Sequence, residues 1–96
     1  MNTKAVLVEF IGTFFFLSII LNTITEPSYG PIAIAVGLLA AIYFGGKISG
    51  GHFNPAVSIM MFIKGNIQGD LAIVYISAQI IGALSALILN NYLIGA

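Results

Sequence analysis

The sequence has no cysteine, a single histidine and very little charge. Without cysteine there are no disulfides and no thiolate metal site, and the redox compartment is left undetermined. His52 has no second imidazole or thiolate to join it, so no metal centre is expected, and no cofactor. Charged residues make up 6% of the chain. Ordinary soluble domains carry about 25%. A net charge of +0 gives nucleic acid nothing to recognise. No nucleophile stands with a base, no carboxylates pair in register, and no phosphate-cradling loop ends in Lys-Ser/Thr, so no enzyme is expected. The three carboxylates, Glu9, Glu26 and Asp70, are accounted for as scaffold, loop and helix cap. No Asn-x-Ser/Thr acceptor marks an outer loop.

What fills the chain instead is apolar: 59% hydrophobic residues and a mean hydropathy of +1.10 over 96 residues. That composition belongs in a bilayer, and the length allows one domain at most. Three spans are expected, from about Ala5 to Leu21, Pro31 to Gly46 and Leu71 to Leu89. A signal peptide competes for the first. However, the run exceeds the usual h-region of about 7–15 residues. No small-x-small cleavage site follows it, and Glu9 interrupts it. Pro27-Ser28-Tyr29-Gly30 signals a turn, and Asp70 is placed to cap the third span. Ala33, Gly37, Ala41 and Gly45 form one small-residue face on the second span, and Ala78, Gly82 and Ala86 another on the third. Such faces let helices pack closely in lipid, and the first could also join copies inserted the same way round.

The polar break Ser49-Gly-Gly-His-Phe-Asn-Pro-Ala-Val-Ser58 is unlike the rest. Asn54 is a good helix N-cap and Pro55 suits the first helical position. Lys64-Gly65 suits a C-terminus, by the helix dipole and the left-handed cap. A helix from Pro55 to Lys64 is only about 15 Å long, half of a bilayer core of roughly 30 Å. It can dip in and return if its non-helical approach is buried or lines a wet cavity. Ser49, Gly50, Gly51 and His52 would supply that approach, their carbonyls facing a lumen. The expected fold is therefore all-α and membrane-embedded, with three transmembrane helices and one re-entrant half-helix within 47–64.

Asn-Pro-Ala preceded by Gly45-Gly-Lys-Ile-Ser-Gly-Gly-His-Phe53 and followed by Val57-Ser58 resembles the first signature loop of the aquaporin and glycerol-channel (major intrinsic protein) family. Val8-Glu-Phe-Ile-Gly-Thr-Phe-Phe15 is similar to the family's first helix, and Tyr75-Ile-Ser-Ala-Gln-Ile-Ile-Gly-Ala83 to its third. The match spans nearly all of residues 1–96, as the N-terminal half of the family's six-helix plan. The resemblance implies passive conduction of water or small neutral solutes such as glycerol. It implies a pore lined by Gly50, Gly51, His52, Phe53, Asn54, Pro55 and Ala56, with the Asn54 amide donating to the solute oxygen. Glu9, an acid inside a span, is expected to face inward and hold the loop's amides, with Gln79 as a hydrogen-bonding neighbour. Counting back without gaps places Ile34 at an outer-filter position often Phe in water channels and Trp in glycerol channels; isoleucine is neither, so the choice of solute stays open. Lys47 stands where histidine is common in the family.

Lys4, Lys47 and Lys64 fall on one side and Glu26 on the other, so the positive-inside rule places the N-terminus in the cytoplasm. In the family, a second half supplies the opposing half-helix and a filter arginine, neither of which this chain contains. A second half, covalent or supplied in trans, is the expected partner, and complete pores would gather as tetramers. The competing reading is a non-conducting membrane protein with a structural or interaction role.

Overall fold

A computed structural model describes residues 2–95, which form four helices: α1 Thr3–Thr23, α2 Gly30–Ser49, α3 Pro55–Lys64 and α4 Gly69–Ile94. The three long helices contain 21, 20 and 26 residues, each long and apolar enough to cross a bilayer, and α3 is a half-length helix of 10. No strand occurs among the described residues. The all-helical architecture expected from the sequence is the one observed.

Local chemistry sets the ends. Asn2 caps α1, its Oδ1 accepting from the Ala5 amide at 3.1 Å. Gly50 closes α2 in the left-handed region at φ 92°, its amide returning to the Gly46 carbonyl at 2.8 Å. Gly65 closes α3 at φ 92°, and the Asn66 amide reaches back to the Met61 carbonyl at 2.9 Å. At α4 the expectation is corrected. The N-cap position is held by Gln68 without a side-chain bond, and Asp70 lies inside the first turn, accepting from Leu71 at 2.9 Å.

α1 is the central helix, with α2 and α4 packed on either side of it. Gly45 lies against Val8 near one end of α1, and Gly37 against Ile19 near the other, so the two helices run antiparallel. α4 runs parallel to α1. Gly82 comes so close that a Cβ there would stand 2.8 Å from the Phe10 carbonyl oxygen and 3.3 Å from the Phe14 amide. Small residues permit this backbone approach, which is how helices gain dispersion energy where lipid removes the hydrophobic drive. Both small-residue faces are thus used within the chain. Gly37, Ala41 and Gly45 are buried against α1, so that face is not free to join same-way copies as the sequence suggested.

The outer surface is apolar, with Leu7, Ile32, Leu39, Ile73 and Ile88 all exposed. The start of α1, the α3–α4 link and the start of α4 gather at one end, where Asn2, Asn66, Ile67, Gln68, Asp70 and Leu71 line a shallow hollow. α3 packs against α4, and its N-terminus is fed by residues 50–54, which lie over Glu9 and Gly12 of α1.

Candidate functional site

The site is built from the inside of the bundle outward, beginning at Glu9. Its side chain is fully buried, 0% exposed, yet no cation touches it among the described residues. A charge removed from water needs hydrogen bonds to replace its hydration. Four donors meet it. Oε2 accepts from the Ser49 hydroxyl at 2.7 Å and the His52 amide at 3.0 Å. Oε1 accepts from the Phe53 amide at 2.8 Å and from Gln79 Nε2 at 2.9 Å. One carboxylate thereby draws together the end of α2, the loop, and α4.

The loop turns sharply to deliver those amides. Gly50, Gly51 and Phe53 all have positive φ, at 92°, 67° and 51°. For Phe53 the left-handed conformation costs roughly 1–2 kcal/mol. Its amide bond to Glu9 and the burial of its ring against Gly12 offset that cost. The Gly51 amide donates to Ser49 Oγ at 3.1 Å. Ser49 itself departs from expectation. It is the last residue of α2 rather than part of an extended approach, and its carbonyl accepts from the Tyr75 hydroxyl at 2.6 Å instead of facing a lumen. The carbonyls of Gly50, Gly51 and His52 accept from no backbone amide among the described residues.

His52 is buried, its Nδ1 2.7 Å from Ser58 Oγ and its ring edge-on to Tyr75, with centroids 5.1 Å apart. Gln79 Nε2 also reaches Ser58 Oγ at 2.9 Å, so Glu9, Gln79, Ser58 and His52 form one chain of contacts. Asn54 is the outermost member. It caps α3, its Oδ1 accepting from the Ala56 amide at 2.8 Å, and the residue is exposed. Because the oxygen is used, the amide nitrogen is the group left to present outward. Pro55 occupies the first turn and Ala56 is exposed beside it. Ile34 stands apart from this constellation. It is half-buried, far along α2 from Ser49 and towards the opposite end of that helix.

The sequence alone assigns no role to Ser58, Tyr75 or the Ser49 hydroxyl. The spacing of Tyr75 and Gln79, four apart on one face of α4, is the signal that could have found one of them. Ser58 falls in the first turn of α3, and nothing in its spacing singles it out.

The sequence model of the family described as major intrinsic protein matches residues 1–95. The chain belongs to that family. It is 48% identical to the glycerol uptake facilitator protein-like 6 of Lactiplantibacillus plantarum, over 83% of this chain and 39% of that protein. It is 39% identical to aquaporin TIP1-1 of Arabidopsis thaliana, over 96% of this chain and 42% of that protein. It is also 39% identical to aquaporin Z of Brucella melitensis, over 81% of this chain and 39% of that protein. The chain therefore spans about two fifths of the length of these curated relatives. No solved structure matches it significantly. With three helices able to cross a bilayer, this member of the major intrinsic protein family is an integral membrane protein.

Proposed function

We propose that the chain forms one half of a passive pore for water or small neutral solutes such as glycerol. The observation that carries this reading is the double use of Asn54: its oxygen caps α3, while the exposed residue leaves its NH₂ for a passing oxygen. The N-terminus of a helix that stops mid-bilayer adds a positive partial charge at the same point. Together they orient a solute oxygen and oppose cations and protons. Gly50, Gly51, His52, Phe53, Pro55 and Ala56 form the approach and the constriction wall, with Ile34 bordering the path towards the other end of α2. Glu9 and Gln79 anchor the loop. The names of the relatives, glycerol facilitator and aquaporins, support the solute class and leave water and glycerol both open.

The pore needs a second half, covalent or in trans, to bring an opposing half-helix to Asn54, and complete pores assemble as tetramers. The N-terminus, with Lys4, Lys47 and Lys64, lies in the cytoplasm. The test is osmotic shrinkage of proteoliposomes holding this half together with a complementary half from a relative. Rapid shrinkage in water or glycerol gradients without ion leak supports the reading. Vesicles that behave like empty ones, despite a co-purified pair, would count against it.

A further inference from the structure

We infer that Ser58 and Gln79 are positioning residues that fix the tautomer of His52, so that in the neutral ring Nε2 carries the proton and offers a donor beside the loop opening. The chain of contacts that starts at Glu9 leaves one assignment of protons. Gln79 Nε2 lies 2.9 Å from Glu9 Oε1 and 2.9 Å from Ser58 Oγ. An amide nitrogen has two protons, and here each has an acceptor. Rotating the amide would set its carbonyl oxygen against the carboxylate, which already accepts from Ser49, His52 and Phe53. Gln79 Oε1 is left buried and without a partner among the described residues. That orphaned acceptor carries a desolvation cost, which the two bonds made by the nitrogen offset.

Ser58 Oγ, fully buried, therefore accepts from Gln79 and has one proton of its own to place. The acceptor in reach is His52 Nδ1, at 2.7 Å. A nitrogen that accepts is unprotonated, so in the neutral ring the proton sits on Nε2. That nitrogen lies beside exposed Gly50, where a Cβ would stand 3.4 Å from it, and it meets no partner among the described residues. The ring is held from its other side by the edge-on Tyr75 contact. Resting on the channel reading, this gives the path two donors in series, His52 Nε2–H and Asn54 Nδ2–H. A solute is then received through an acceptor oxygen at both, and an imidazole whose Nδ1 is already occupied by the Ser58 hydroxyl is not an open proton relay.

His52 is the only histidine, so imidazole ¹⁵N-labelling of the chain in lipid gives a single ring to read. Above the range in which histidine titrates, the expected spectrum has Nε2 as the protonated nitrogen and Nδ1 as a hydrogen-bonded acceptor. Ser58→Ala should lower the ratio of the Nε2–H to the Nδ1–H form roughly 2- to 10-fold, the worth of one hydrogen bond, and Ser58→Thr should restore it. A proton on Nδ1 in the unaltered chain overturns the inference without any variant, as does a Ser58→Ala spectrum identical to the parent. Since the spectrum is read without flux, a failed conduction assay bears on the channel reading alone.

Discussion

Phe53 occupies the space that a side chain on Gly12 would need: a Cβ there would lie 2.6 Å from the ring's Cζ and 2.7 Å from Cδ1. The ring is 2% exposed, and the same residue sends its amide to Glu9 at 2.8 Å. Glycine on α1 and an aromatic in a left-handed conformation on the loop therefore form one locking device. The ring docks in the notch, which presents the amide to the carboxylate one turn away on the same face.

Gly12→Ala should accordingly destabilise the chain by about 1–3 kcal/mol, the usual cost of overpacking. The Phe53 ring cannot retreat without dragging the amide from Glu9. Gly46→Ala is the control, since among the described residues its Cβ would meet only Ile42 Cγ2 at 3.4 Å. That change should be neutral or gain up to about 1 kcal/mol from lower chain entropy. Thermal unfolding in detergent micelles separates the two. Equal midpoints would mean that the notch does not hold the ring.

Glu9→Gln keeps the size of the side chain but replaces one acceptor oxygen with an NH₂. The donors are paired two to an oxygen, so either orientation of the new amide turns NH₂ towards two of them. The Ser49 hydroxyl can rotate to accept; a backbone N–H cannot. Each buried donor left without a partner costs about 1–3 kcal/mol. Hydrogen exchange at whichever of the His52 and Phe53 amides faces the new NH₂ should speed up while exchange in the middle of α4 is unchanged. Unaltered protection at both loop amides would show that Glu9 is not what orders the loop.

How far these relationships could be read from the sequence depends on whether they leave a local mark. The half-helix is legible because Asn54-Pro55 and Lys64-Gly65 bracket it with residues whose preferences are intrinsic to helix ends. Glu9 is legible because an acid in an apolar span must find donors. Gly37, Ala41 and Gly45 announce a packing face, but which helix fills it depends on chain order and loop length, and only the fold shows it to be α1. The Phe53 conformation leaves no mark at all, since nothing about phenylalanine favours positive φ; the notch at Gly12 is distant in sequence. Ser49 and Ser58 read as ordinary small polar residues until the carboxylate and the imidazole are set beside them. Asp70 misleads in the opposite sense, being a good capping residue that falls inside the first turn instead of before it.

Asn54→Asp isolates the outward-facing nitrogen from the cap. Aspartate caps helices about as well as asparagine, so α3 and the overall stability should be kept to within roughly 0.5 kcal/mol. What changes is the free end, where a donor is replaced by an acceptor carrying negative charge. In a complete pore containing this half, cation exclusion should weaken and neutral-solute flux should fall, because the solute oxygen meets like polarity. Ion conductance and osmotic flux measured on the same proteoliposomes test it. An unchanged pair of values would remove Asn54 from the constriction.

Channel halves related by an axis in the membrane plane must enter from opposite sides for their half-helices to meet. Two copies could satisfy that only if one inserted upside down, which requires a nearly balanced distribution of lysine and arginine. The fold makes the imbalance plain. Lys4 lies in the first turn of α1, Lys47 in the last turn of α2 and Lys64 in the last turn of α3. The antiparallel α1–α2 pairing and the hollow joining Asn2 to the α3–α4 link bring all three ends to one side. Copies inserted the same way have their half-helices on the same side, and the small-residue face of α2 that could have paired them is already filled by α1. The chain alone should therefore insert in one orientation, N-terminus in the cytoplasm, and conduct at the background rate of lipid. Vesicles holding only this chain, assayed for osmotic shrinkage alongside a topology reporter fused after the last residue, decide the matter. Fast, specific water flux would mean that same-way copies do build a pore, and a reporter found on both faces would mean that the lysine bias does not govern insertion.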